Sequence, residues 1–294
     1  MPEGIILKGV GGLYSVKSEG MTYLCKPRGL FRMQDIKPVP GDRVIFEITD
    51  NDHEGYLNSI SKRTNYLVRP AVSNIDQAIL VIAAKEPSPD LLLLDKLICL
   101  CESKDIVPVI CINKTDLAEA EDVRKIELQY AATGYVIIKT SIKNSIGMEE
   151  LENTLKGKTN VLAGQSGVGK STILNTILKE IKMETGIISK KLGTGKHTTR
   201  HAEFLEINGG YLVDTPGFSN FDAGLLDYDC IKEYFVEFEQ FEGTCRFNGC
   251  IHVNEPDCSV KDAIKSGTID SERHKRYIEI LNLTKQAQKD KRGY

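Results

Sequence analysis

"VLAGQSGVGKSTILN", running from Val161 to Asn175, decides how the rest of the chain is read. Gly164, Gly169, Lys170 and Ser171 satisfy the spacing G-x-x-x-x-G-K-[ST], with an apolar strand pattern, "TNVLA", before it and a helical pattern, "STILNTILKEI", after it. Glycines there let the backbone turn its N–H groups toward an anion at a helix N-terminus, where the peptide dipoles also favour negative charge. The stretch reads as a phosphate cradle built from Gly164, Gln165, Ser166, Gly167, Val168, Gly169, Lys170, Ser171 and Thr172. Lys170 would reach the terminal phosphates, and the Ser171 hydroxyl would meet Mg²⁺.

Working outward, the segment suited to reading a guanine base lies on the unexpected side. "NKTD", Asn113–Asp116, ends the apolar run "VPVICI" about fifty residues before the cradle. An Asp116 carboxylate at such a strand end can accept both N–H donors on one edge of guanine, the ring N1–H and the 2-amino group, whereas adenine would leave its charge unpaired. Asn113, Lys114 and Thr115 would brace that loop, and Ser141 in "KTSIK" would help enclose the base. Taken alone, "NKTD" also fits a helix N-cap. After the cradle come "GTGKHTTR" (Gly193–Arg200), a polar loop in which Thr198 or Thr199 can meet the metal, and "DTPG" (Asp214–Gly217). There Asp214 would hold Mg²⁺ and the Gly217 N–H would sense the γ-phosphate. The order, base motif first, is that of a circularly permuted Ras-like GTPase: joining the ends of a compact α/β domain and opening it elsewhere leaves its parallel sheet intact.

The flanking textures support three domains. Residues 1–64 run in short alternating stretches punctuated by Gly, Pro, Asp and Asn, as in a small antiparallel barrel. Residues 65–223 alternate apolar strands with helical patterns, as in a parallel sheet with helices on both faces. Residues 224–294 are mainly helical around a Cys/His-rich loop. The 294 residues carry a formal net charge of −3, so total charge argues for no nucleic-acid partner. No apolar run approaches the roughly 20 residues of a membrane span, and the first twenty residues lack a secretory pattern. A cytoplasmic protein without membrane attachment is expected, its eight cysteines serving as buried thiols or metal ligands. Cys25, Cys99, Cys101, Cys111 and Cys230 read as core.

The permuted order and its flanks resemble one family, the ribosome small-subunit-dependent GTPase A (RsgA) proteins. "PVPGDRV", "RTNYLVRPAVSNIDQ", "INKTDL", "GQSGVGKST", "GKHTT", "DTPGF" and "HVNEPDCSVKDAI" look like its motifs in its order and span nearly the whole chain. The resemblance implies an N-terminal OB-fold, a permuted GTPase domain and a C-terminal zinc domain. It also implies GTP hydrolysis during assembly of the small ribosomal subunit, stimulated by that subunit and its rRNA. Mg²⁺ would be held by Ser171, Thr199 and Asp214. "CRFNGCIHVNEPDC" supplies Cys245, Cys250, His252 and Cys258 in the spacing C-x4-C-x-H-x5-C, three thiolates and an imidazole that would close one tetrahedral, structural zinc sphere.

The hydrolytic group is less direct. Ras-like enzymes use a Gln after the "DxxG" glycine, whereas Phe218 stands here and cannot orient water. The resemblance points to His197, whose neutral imidazole can accept a hydrogen bond from water; capping its loop or touching RNA are its other readings. An RNA-contacting candidate is "KPRGLFRM", with Lys26, Arg28 and Arg32 around Phe31, which equally fits a solvated hairpin. The tail from Arg273 carries seven Lys/Arg against two acids and reads as a helix with one docked face. A monomer is expected. The alternative function is an RNA-binding assembly module in which GTP acts only as a conformational ligand.

Overall fold

In a computed structural model of the chain, the described residues are 1–29, 31, 36–49, 53–185, 202–214 and 225–292. Arg32, His197, Thr198, Thr199, Gly217 and Phe218 therefore lie outside them. The chain forms two compact units: Met1–Ile79 with Glu149–Ala163 and Lys170–Phe218, and Leu80–Met148 with Gly164–Gly169 and Ser219–Tyr294.

The first unit begins with a closed five-stranded barrel. Strands β1 (Glu3–Val10), β2 (Leu13–Ser18), β3 (Met21–Pro27), β4 (Arg43–Ile48) and β5 (Glu54–Ile60) pair in the cycle β1-β2-β3-β5-β4-β1, with β3 and β5 parallel. Alternate residues of β2 point inward, as a two-residue period requires, and Ile6, Tyr14, Val16, Cys25, Phe46 and Leu57 fill the interior. Phe31 joins that core at 5 % exposure. This corrects its reading as a stacking surface for RNA: the ring completes the barrel interior. Arg28 is ion-paired with Glu47, and Lys26 is exposed on β3 opposite Tyr56.

Asp42, in "PVPGDRV", closes the barrel's exit. Its buried carboxylate accepts from the Val39 N–H (2.8 Å), the Arg63 guanidinium (2.7 and 2.8 Å) and the Ser73 hydroxyl (2.7 Å). The last residue lies on β7 (Ala71–Ser73), which forms a hairpin with β6 (Tyr66–Val68). A side chain at Gly41 would place its Cβ 2.1 Å from the Ser73 carbonyl oxygen, so only glycine admits this approach.

The same unit carries β11 (Thr159–Ala163), β12 (Glu203–Ile207) and β13 (Gly210–Asp214). β11 and β13 are parallel, as the sequence predicts. β12 is not among the predicted strands. It runs antiparallel to β13 and meets β1 at the pair Lys8 and Glu203, so the sheet is mixed there. Only Phe204 and Ile207 of β12 are buried, which leaves too little periodic signal beside the polar loop before it. Asn160 anchors β11: its amide donates to the carbonyls of Leu155, Lys158 and Tyr211 and accepts from Gln77 at 2.6 Å. α3 (Met148–Leu155) precedes this strand, and α4 (Lys170–Thr185) follows the phosphate loop.

The second unit contains β9 (Val107–Asn113) between β8 (Gln77–Ala83) and β10 (Val136–Lys139), with β9 and β10 parallel in the register Ile110 to Ile137. β8 is buried at every position and β9 at all but its first, which is why both read as continuous apolar runs. α1 (Leu91–Glu102) starts at an Asp90 cap that accepts from the Leu93 N–H, and beyond its first turn it is buried nearly all round. α2 (Ala120–Gln129) follows the base motif.

The C-terminal region of this unit joins 3-10 turns at Tyr228–Tyr234 and Val236–Phe241 to α5 (Ser259–Lys265) and α6 (Ser271–Arg292). Their common core includes Phe235, Phe238, Val260, Tyr277, Ile280 and Leu281, and Cys99 of α1 packs into it. α6 buries Arg273, Tyr277, Ile280, Leu281 and Thr284, a single face at helical spacing. The predicted docked face is present. Two of the tail's basic residues belong to that face, because Arg273 and Arg276 are consumed by internal ion pairs. Cys25, Cys99, Cys101 and Cys111 are buried as expected, but Cys230 is only half-buried.

Candidate nucleotide site and metal centre

β9 ends in the base motif, and the loop after β11 is the phosphate loop; side chains of the first hold the backbone of the second. Asn113, 2 % exposed, donates its amide to the Val168 carbonyl at 2.8 Å and accepts from the Thr140 hydroxyl at 3.0 Å. Lys114, in the left-handed backbone region at φ +59°, donates its ammonium to the Gly167 carbonyl at 2.8 Å and to the Glu86 carbonyl. Val168 itself is buried, so its side chain anchors the loop and is not available to a ligand.

Two of the loop's three glycines are demanded by close approach. A Cβ on Gly164 (φ +135°) would stand 2.0 Å from the Val81 carbonyl oxygen, and one on Gly169 (φ +103°) would stand 2.4 Å from Asn113 Nδ2. The G-x-x-x-x-G spacing is thus also the spacing at which this loop touches β8 at one end and the base motif at the other.

Asp116 lies in the short turn Thr115–Leu117. The buried Ser141 donates its hydroxyl to Asp116 Oδ1 at 2.6 Å, while the Thr115 N–H and hydroxyl donate to the Thr140 carbonyl at 3.2 and 3.1 Å. Since a carboxylate has about four lone-pair sites, the Ser141 bond orients Asp116 without exhausting it. Thr140 and Glu86 are partners that motif reading passes over. The only signal for Thr140 is its place beside Ser141 in "KTSIK", and Glu86 acts through its backbone.

Lys170, Ser171, Thr172 and Asp214 belong to the first compact unit. Lys170 begins α4 and is half-buried; burial lowers its pKa below the usual lysine value, and an anionic partner would favour the charged ammonium again. Ser166, Ser171 and Thr172 are exposed, and Gln165 and Asp214 are half-buried.

In the second unit, Cys245, Cys250, His252 and Cys258 bring four donor atoms within 4.8 Å of one another. The Cys245 and Cys258 sulfurs are 3.8 Å apart, and His252 Nδ1 is 3.7 and 3.3 Å from them. A tetrahedral zinc sphere with bonds of about 2.3 Å to sulfur and 2.0 Å to nitrogen has edges of roughly 3.5–3.8 Å, so the donor set fits. The His252 N–H donates to Cys250 Sγ at 3.4 Å. A ring nitrogen of His274 bonds the His252 carbonyl at 2.8 Å, and Phe238 packs edge-on against the imidazole. Burial pushes the Cys250 thiol up to about 12 and the His252 imidazole down. A bound cation reverses the first effect, because its charge stabilises thiolates.

The profile of the RsgA GTPase family matches residues 60–224, and that of the RsgA N-terminal domain matches residues 3–57. The chain belongs to the RsgA GTPase family. It is 47 % identical over 289 residues to the "Small ribosomal subunit biogenesis GTPase RsgA" of Ruminiclostridium cellulolyticum, covering 97 % of this chain and 94 % of that relative. The protein of the same name from Geobacillus kaustophilus is 44 % identical, covering 96 % and 97 %. Among solved structures, YloQ, described as a circularly permuted GTPase, superposes with a TM-score of 0.82 at 37 % identity, over 97 % of this chain and 96 % of that one. YjeQ from Thermotoga maritima gives 0.82 at 36 %, over 96 % and 98 %. The fold of this family member is therefore a permuted GTPase behind an N-terminal barrel, with a helical C-terminal region that holds the Cys/His cluster, and the chain is a GTPase. No helix among the described residues is long and apolar enough to cross a membrane.

Proposed function

We propose that this GTPase acts in assembly of the small ribosomal subunit, hydrolysing GTP faster when docked on the subunit and its rRNA. Its parts would divide the work as barrel (residues 1–64), permuted GTPase (65–223) and zinc region (224–294). The observation that carries the nucleotide half is the pair of bonds from Asn113 to the Val168 carbonyl and from Lys114 to the Gly167 carbonyl, which tie base recognition to the phosphate loop. The ribosomal half is supported by the names of the relatives.

Asp116 and Ser141 would select guanine, and Lys170 with the loop N–H groups would take the phosphates. Ser171, Thr199 and Asp214 would hold Mg²⁺, which supplies charge neutralisation between the β- and γ-phosphates. The four-ligand cluster would hold one structural Zn²⁺ with no position left for substrate. His197 would orient the attacking water in place of the missing Gln. The chain would work as a cytoplasmic monomer.

The test is hydrolysis of GTP and of ATP with and without isolated small subunits, at matched ionic strength because RNA contacts weaken steeply with salt. GTP-selective stimulation by the subunit is the expected result. Unstimulated turnover would remove the ribosomal partner, and loss of stimulation in His197→Ala with subunit binding retained would place His197 in the chemistry.

A further inference from the structure

A cavity of about 530 Å³ in the C-terminal region takes in three of the four metal ligands, Cys245, Cys250 and His252, and is far larger than one ion fills. A metal ion needs only the space between four donors already within 4.8 Å of one another. The cavity wall is aromatic, with Phe238 on the buried side and Phe241 half-buried. Phe247, 45 % exposed, also lines it. Its charged lining is one-sided: Glu102, Glu233, Glu239 and Glu242 against Lys232 alone. Glu233, Glu239 and Glu242 are exposed.

An acidic rim around an aromatic hollow repels phosphates and attracts cations on apolar stems, because long basic side chains lay their methylenes on apolar surface while their charge meets carboxylates. The Phe247 ring already accepts one such group: the Arg246 guanidinium lies 5.5 Å from its centroid, its charge matched by Asp257 at 2.7 Å. We propose that this cavity docks a basic protein segment that inserts an apolar side chain between Phe241 and Phe247 while its arginines or lysines meet Glu233, Glu239 and Glu242. The surface is thus a protein-binding site and not part of any RNA contact. The inference does not depend on the ribosomal reading above.

The experiment uses the full chain with its metal bound and a fluorescein-labelled octapeptide alternating arginine with leucine and phenylalanine, followed by anisotropy at physiological salt. Micromolar binding is expected, with octa-arginine at least about tenfold weaker because it lacks the anchor. Glu239→Lys with Glu242→Lys should weaken the amphipathic peptide at least about tenfold, and Phe247→Ala should also weaken it, with GTP affinity and circular dichroism unchanged. The proposal is overturned by absence of peptide binding to the wild-type chain, by equal binding to the charge-reversed variant, or by equal binding of octa-arginine. It is also overturned if a labelled uridine octaribonucleotide binds the wild-type chain and Phe247→Ala abolishes that binding.

Discussion

Arg273 of the C-terminal helix α6 is ion-paired at 2.6 Å with Asp95 of α1, and the two side chains are 1 % and 0 % exposed. The same guanidinium donates through Nε to Glu237 Oε1 at 2.6 Å, and its carbon lies 4.8–4.9 Å from the Phe235 and Tyr130 ring centroids. Arg276 meets the other Asp95 oxygen at 2.5 Å, and the Tyr130 hydroxyl donates to Asp95 Oδ1 at 2.7 Å. The metal-binding region is therefore fastened to the helix that follows β8, within the unit that also holds "NKTD" and residues Gly164–Gly169 of the phosphate loop.

Arg273→Met should cost about 3–5 kcal/mol, because it strands buried carboxylates. Adding Glu237→Met should restore part of that loss, since Asp95 keeps Arg276. Urea unfolding of both variants checks it; a single variant within about 0.5 kcal/mol of wild type would remove the network from the stability account.

Gly169→Ala should weaken both GTP and GDP about ten- to a hundredfold, since its Cβ would collide with Asn113 Nδ2 at a positive φ that costs about 1–3 kcal/mol. Gly134→Ala, also at positive φ but in open space, is the control. It should lower stability by about 1 kcal/mol and leave nucleotide titrations unchanged.

Asp116→Asn should lose GTP affinity by about 1–3 kcal/mol, because an amide N–H₂ facing guanine's N1–H and 2-amino donors leaves them unpaired. Asn Oδ1 still accepts from Ser141, so the loop should hold its shape. Calorimetric titration with GTP and xanthosine triphosphate reads the outcome: xanthine carries a carbonyl where guanine has its amino group, and its affinity should rise. Unchanged GTP binding would show that Asp116 does not face the base.

The purified chain should contain about one Zn²⁺, and Cys258→Ser should abolish it. A strong chelator should erase the near-ultraviolet circular dichroism of the Phe235, Phe238 and Tyr277 cluster, whose rings pack at 4.9–5.5 Å beside His252. Retained dichroism with metal removed would mean that the apolar core alone holds this region.

Burial pushes the Cys25 and Cys111 thiols up to about 11, so at pH 8 only about a thousandth of each is thiolate. Native alkylation of both should wait for unfolding, rising steeply with urea. Mass-spectrometric labelling that modifies Cys111 in the native protein would contradict its burial beneath Thr140.

The motifs were legible because their chemistry is local. A glycine-bracketed loop before a lysine, a carboxylate at a strand end and four soft ligands within fourteen residues each announce a ligand through spacing alone. The barrel and the apolar strands were legible for a similar reason, since a period of two or an unbroken apolar run records which faces are buried. Phe31 misled because an aromatic among basic residues has the composition of an RNA surface, and only the closed barrel decides that its ring fills the interior. The docked face of the tail was legible from its apolar spacing, but the burial of Arg273 was not, because its partners Asp95 and Glu237 lie 178 and 36 residues away along the chain.

By itself the sequence determined the order of the motifs, hence the permutation, the nucleotide chemistry and the ligand set for the metal. Tertiary structure decided that "NKTD" grips the carbonyls of Gly167 and Val168 more than fifty residues away, and that α6 is pinned to α1 by buried ions. It also placed an acidic aromatic hollow at the cluster. The division follows from physics: backbone preference and ligand spacing act over a few residues and leave a periodic trace. Close packing and charge pairing act over a few ångströms between segments whose separation along the chain leaves no trace in either one.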